Sequence, residues 1–126
     1  MNSTTPPCEC ATAPKLIFAC SGASDAGETA DRAGRALTKD GAGKMYCLAG
    51  LGGQVPGIIS NTQKAGKILA IDGCPMDCAK KTLEAAGFTS FQHVQLRDLG
   101  LEKGACPATA ENTQTVVARA KELLKD

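Results

Sequence analysis

The chain has 126 residues, 43% hydrophobic and 21% charged, so we expect one globular domain with a core of its own. The formal charge is +1 and aromatic residues make up only 3%, so neither nucleic acid nor a membrane surface is expected as a partner. No apolar run approaches the roughly 18 residues of a membrane-spanning helix, and the N-terminus lacks the pattern of a secretory signal. We therefore expect a cytoplasmic protein, where seven cysteines indicate metal or redox chemistry rather than disulfides.

The first residues differ in composition from the rest. Residues 1–14 contain three prolines and several small polar residues, which predicts a flexible N-terminal arm. A single α/β metal-binding domain is then expected over residues 15–126. Cys8 and Cys10 lie on the arm and are more often incidental there, although a second metal site remains an option.

The first half of the domain alternates apolar runs with helical patterns. Residues 15–20 form a short apolar run that predicts a buried strand. Asp25, followed by Glu28, fits the cap of a helix that continues to about Leu37. A second short strand is predicted over residues 45–49. A glycine-rich turn follows it, and Pro56 can open a short helix.

The second half repeats this alternation. Residues 67–72 are the clearest strand of the chain, and a helix is predicted from about Met76 to Ala86, ended by Gly87. Residues 93–98 alternate enough to form a fourth strand, nearer an edge of the sheet. A final amphipathic helix is predicted over residues 111–124.

This order predicts an α/β fold, a small open doubly wound, Rossmann-like parallel sheet of about four strands with helices on both faces. We expect the strand order 2-1-3-4, which puts strand 1 between strands 2 and 3. Cysteines follow these three strands: Cys20 ends the first, Cys47 lies near the end of the second, and Cys74 comes just after the third. Sheets of this kind bind ligands beyond the carboxyl ends of their strands. The thiols are therefore expected to meet at that edge.

Cys74 and Cys78 form the sharpest cysteine pair. If Pro75 opens a helix, the two sulfurs lie on one helix face and can chelate a metal together with Cys20 and Cys47. Zinc or an iron–sulfur cluster would suit four thiolates, and the spacing does not distinguish them. The alternatives are buried unreactive cysteines and a nucleophilic Cys20, whose pKa a following helix would lower.

A few other residues could contribute to such a site. Asp72 and Lys103 lie at predicted strand ends and could contact a substrate, although Asp72 could equally satisfy loop amides. Cys106 follows the fourth strand and could face the same edge. His93, the only histidine, is more often a surface or packing residue at such a position. Two neighbouring lysines are interpreted as a solvated helix face that could also soften the charge of a thiolate cluster, Lys80 and Lys81.

Four segments together resemble the DGC-domain family, which takes its name from an Asp-Gly-Cys triplet. They are residues 20–24 (CSGAS), 45–50 (MYCLAG), 71–81 (IDGCPMDCAKK) and 98–103 (DLGLEK). Members of that family are described as zinc-binding proteins with four cysteines. The resemblance implies a zinc ion held by four residues of this chain: Cys20, Cys47, Cys74 and Cys78.

The expected function is thus a zinc-binding protein whose physiological role the sequence does not give. The alternatives are a thiol or redox enzyme that uses Cys20 or the Cys74/Cys78 pair, and an iron–sulfur electron carrier. Whether the protein is an enzyme is left open.

Overall fold

The structure, a computed structural model, describes residues 13–126. The predicted N-terminal arm, with Cys8 and Cys10, therefore lies outside the described residues except for Ala13 and Pro14. The backbone N–H of Gly66 donates a hydrogen bond of 2.8 Å to the carbonyl of Pro14. The end of the predicted arm is thus attached to the chain just before the third strand.

Within residues 13–126, four parallel strands form one sheet in the order β2-β1-β3-β4. This confirms the predicted α/β fold and strand order. The central strands β1 and β3 pair over their whole common length, from Lys15 opposite Lys67 to Ala19 opposite Ile71. The strands are β1 (Lys15–Ala19), β2 (Lys44–Met45), β3 (Lys67–Asp72) and β4 (Gln92–Gln95).

Helices cover the sheet. Consecutive residues of β1 and β3 are buried, and since neighbouring side chains point to opposite faces, both faces of these strands are covered. Helix α1 packs on α5, and α2 packs on α4. In the described part of the chain the helices are α1 (Asp25–Lys39), α2 (Leu48–Gly52), α3 (Pro56–Gln63), α4 (Cys78–Ala85) and α5 (Ala110–Leu124). Among these residues, none of the helices has the length and apolar character that crossing a bilayer requires.

The second strand is much shorter than predicted. Pairing with β1 ends after the N–H of Tyr46 donates to the carbonyl of Ile17, at 2.8 Å. The predicted strand residues that follow turn into helix α2, because the Cys47 sulfur accepts a hydrogen bond from the N–H of Gly50 at 3.3 Å and so caps it. Burial of Leu51 holds this short helix in place. The glycines predicted as a turn thus belong mostly to a helix.

Two further boundaries differ from the prediction. Ser24, and not Asp25, caps helix α1, since its hydroxyl accepts the N–H of Gly27 at 3.0 Å. The fourth strand ends at Gln95, and the remaining residues predicted as strand form a 3-10 helix, Leu96–Leu99. The left-handed backbone of Gly100, at φ 80°, then ends that turn.

Candidate metal centre

The four predicted ligand cysteines line one cleft of about 1000 Å³ beyond the carboxyl ends of β1, β2 and β3. Parallel strands bring their carboxyl ends to a single edge, and each cysteine lies in a segment that follows one of these three strands. Apolar side chains such as Met45, Tyr46 and Met76 also line the cleft. The four residues are Cys20, Cys47, Cys74 and Cys78.

Cys20 is the innermost of the four. It directly follows β1 and is buried, and its sulfur accepts a hydrogen bond of 3.0 Å from the backbone N–H of Gly73. Burial raises the pKa of the Cys20 thiol to about 11, the Gly73 hydrogen bond opposes this, and nearby negative charges, first that of Asp72, raise it further. The alternative of a nucleophilic Cys20 requires a lowered pKa, whereas the pKa of this thiol is raised. A cation is the natural partner that would favour the thiolate here.

The other three thiols are more accessible. Cys74 is half-buried, and Cys47 and Cys78 are exposed. Cys47 is held by the cap of helix α2. Cys78 is the first residue of α4. Cys47 and Cys78 therefore both stand at helix N-termini that face the cleft.

The expected helical arrangement of Cys74 and Cys78 is wrong. Helix α4 begins at Cys78, so Pro75 lies in the preceding turn and Cys74 is outside the helix. Asp77, just before the helix, has a left-handed backbone with φ 55°. A non-glycine residue in this region carries strain, although Asp tolerates it better than most. The two thiols reach the same cleft through a sharp turn and not through one helix face.

The four cysteine sulfurs are not clustered closely enough to surround a single ion. In the described residues, no three of the cysteine sulfurs lie within 4.8 Å of one another. A tetrahedral zinc ion with Zn–S bonds of about 2.3 Å would place its sulfurs about 3.8 Å apart. The cleft as described is thus wider than a closed zinc site.

Each residue of the Asp-Gly-Cys triplet has a separate structural task. The buried Asp72 carboxylate accepts hydrogen bonds from the N–H groups of Ala79, at 2.7 Å, and Lys80, at 3.0 Å. These N–H groups lie in the first turn of α4 and have no partner within the helix. Gly73 packs against the start of α1, where any side chain would collide with the backbone of Ala26. Cys74 then enters the cleft. The triplet therefore joins β3, α1 and α4 at the site.

A polar cluster beside the cleft was missed by the sequence reasoning. His93 Nε2 lies 2.8 Å from Asp72 Oδ2 and 3.6 Å from Asp77 Oδ1. The side-chain amide of Gln95 also donates to Asp77 Oδ1, at 3.0 Å. The alternation of His93 and Gln95 on one strand was the available signal. Their partners come from β3 and the turn after it, which only the pairing of β3 with β4 brings close.

The remaining predicted residues divide between the cleft and other places. Lys103 lines the cleft, although it lies in a loop well beyond the end of β4 and not at a strand end as predicted. Lys81 is exposed, in agreement with a solvated face. Cys106 is buried away from the cleft lining, and its carbonyl accepts the hydroxyl of Thr29 at 3.1 Å. Its thiol has a pKa raised by burial, which indicates a packing role.

A single α/β sheet with four cysteines at its carboxyl edge defines the class of this protein. The family model described as "DGC domain" matches residues 16–120. The chain belongs to the DGC domain family. It is also 35% identical over 88 residues to the anaerobic and virulence modulator AnvM of Pseudomonas aeruginosa, covering 70% of this chain and 67% of that protein. No solved structure matches the chain.

Proposed function

We propose that this protein binds one zinc ion through Cys20, Cys47, Cys74 and Cys78. The observation that carries the proposal is the shared cleft, to which three neighbouring strand ends contribute all four thiols. Thiolates are strong ligands for zinc, and four of them make a closed tetrahedral site without a position for substrate. Backbone N–H groups that point at the sulfurs of Cys20 and Cys47 support ligation, since such bonds stabilise metal-bound thiolates.

Closure of the cleft is part of this proposal. Among the described residues no three of the cysteine sulfurs lie within 4.8 Å of one another, so some of the four must move closer to surround a single ion. Cys47 and Cys78 are the exposed members of the set and lie at the N-termini of helices α2 and α4. Zinc binding is therefore expected to order this edge of the sheet and to increase the stability of the fold.

An iron–sulfur cluster is the second candidate. The wide separation of the cysteine sulfurs favours it. A cluster distributes its thiolates over several iron atoms and therefore holds them farther apart than one ion does. The cleft volume of about 1000 Å³ also exceeds what one ion needs. The name of the Pseudomonas relative, an anaerobic and virulence modulator, suits a centre that responds to oxygen.

A thiol enzyme that uses Cys20 has less support. Its sulfur is buried, and its pKa of about 11 keeps the thiol protonated at neutral pH. A metal ion can displace that proton because it supplies the compensating charge, whereas an incoming substrate without a cation cannot. We propose the reducing cytoplasm as the place of action because unpaired thiols persist there.

Anaerobic purification followed by measurement of zinc, iron and acid-labile sulfide tests the two candidates. Zinc binding predicts about one zinc per chain and a colourless protein. Equal amounts of iron and sulfide with visible absorption would instead establish the cluster.

The ligand set is tested by the variant Cys78→Ser, with Cys106→Ala as a matched control that removes a cysteine outside the cleft. Competition with a chromophoric chelator should show at least a tenfold weaker zinc affinity for Cys78→Ser, because water must replace one thiolate. The control should keep the affinity of the wild type. Equal affinity in all three proteins would contradict the assignment.

A further inference from the structure

A carboxylate at the end of strand β3 caps the helix that carries Cys78. Asp77, at the N-cap position of α4, makes no capping hydrogen bond with its side chain. Asp72 takes this role from the end of β3, since its two oxygens accept the N–H groups of Ala79 and Lys80. Asp72 is only 1% exposed, so the direction of its carboxylate controls where helix α4 begins.

His93 holds this carboxylate from the neighbouring strand. Its Nε2 lies 2.8 Å from Asp72 Oδ2, and since a carboxylate only accepts, the proton of this hydrogen bond belongs to the histidine. The same nitrogen lies 3.6 Å from Asp77 Oδ1. One imidazole therefore contacts both acidic residues that flank the turn bearing Cys74.

The turn between the two acids needs such support. Asp77 has a left-handed backbone, which strains a non-glycine residue unless its surroundings compensate. The amide of Gln95 adds a second hydrogen bond from β4 to Asp77. Strand β4 thus holds the two acidic residues on either side of residues 73–76, and the conformation of this turn sets the positions of Cys74 and Cys78.

We infer that His93, acting through Asp72 and Asp77, is a positioning residue for the Cys74–Cys78 half of the metal centre. This inference rests on the proposed metal-binding function. His93 contacts none of the four sulfurs and serves to hold the turn in the conformation that presents them. Groups that hydrogen-bond a metal ligand directly contribute about 10–100-fold to metal affinity, so His93, which acts through two carboxylates, is expected to contribute about tenfold.

The test compares His93→Leu with His93→Gln. Glutamine places a donor near the position of Nε2, whereas leucine has no polar group. The control is Gln92→Leu, an exposed position on the same strand. Cobalt(II) is titrated into each metal-free protein under anaerobic conditions. The thiolate-to-cobalt charge-transfer band reports the number of bound thiolates, and competition gives the zinc affinity.

We expect His93→Leu to bind zinc about tenfold more weakly with a reduced charge-transfer band, and His93→Gln and Gln92→Leu to stay within about threefold of the wild type. If His93→Leu lowers the melting temperature of the metal-free protein but keeps the wild-type affinity and band, His93 is merely structural and the inference is overturned. Equal losses in the glutamine and leucine variants would also overturn it. A wild-type protein without the charge-transfer band would overturn the proposed metal binding itself.

Discussion

Gly73 is the position where adding a single methyl group should damage both the fold and the site. A Cβ atom on Gly73 would lie 2.5 Å from the backbone carbon and oxygen of Ala26 and 2.8 Å from the nitrogen of Gly27. Atoms of a helix backbone cannot rotate away as a side chain can. Gly73→Ala must therefore separate β3 from the start of α1, which also moves the Gly73 N–H away from the Cys20 sulfur it contacts at 3.0 Å.

The cost follows from this geometry. Overpacking a rigid interior costs about 1–3 kcal/mol, and contacts with backbone on this scale place Gly73→Ala at about 3 kcal/mol. With an unfolding entropy of about 2.1 cal/mol/K per residue over 126 residues, the melting temperature should fall by about 11 °C. Calorimetry of the metal-free protein measures this shift without a contribution from the metal.

A second glycine provides the matched control. Gly57 lies in α3, and a Cβ atom there would meet no atom within 4 Å. Gly57→Ala should leave stability unchanged or raise it by up to about 1 kcal/mol, since alanine is the better helix former. A Gly73→Ala protein that melts within about 2 °C of the wild type would refute the close approach of β3 and α1.

Two further predictions concern pH and the N-terminal arm. The pKa of Asp25 is lowered, first by the N–H of Gly104 and then by that of Cys106, so its stabilising effect is complete above the ordinary value of 3.8 and is lost as the pH falls through the lowered pKa. Urea midpoints of the wild type and Asp25→Asn should hence differ at pH 7 and converge in acid. A chain that starts at Pro14 should keep the zinc affinity and melting temperature of the full chain, since all four proposed ligands follow the predicted arm in the sequence. A loss of tight zinc binding would mean that the ligand set is incomplete.

Much of the site could be predicted because parallel strands place the residues that follow them at the same edge of the sheet. The apolar runs that became β1 and β3 are buried on both faces, so their limits were visible in composition alone. Once their order was inferred, the common edge for Cys20 and Cys74 followed. The conformation around Cys47 and Cys78 was predicted wrongly, because local patterns there favoured a longer strand and an earlier helix.

These local errors share a physical cause. A helix beginning at Pro75 satisfies the preferences of its own residues, but the actual start at Cys78 is selected by Asp72, whose carboxylate receives the free N–H groups of the first turn. Likewise, Cys47 caps α2 only where the pairing of β2 with β1 ends. Which of several local preferences prevails depends on where the strands end and pair, and the residue types of a short segment do not decide this.

The sequence by itself determined the fold class, the strand order and the set of cysteines at one edge, because hydrophobic burial and right-handed crossovers depend on patterns within short segments. The tertiary structure alone decided how far the sulfurs stand apart and which residues support them. His93 and Asp72 are 21 positions apart in the chain yet 2.8 Å apart in space. Hydrogen bonds of this kind depend on the register between strands, which is settled only when the whole sheet assembles.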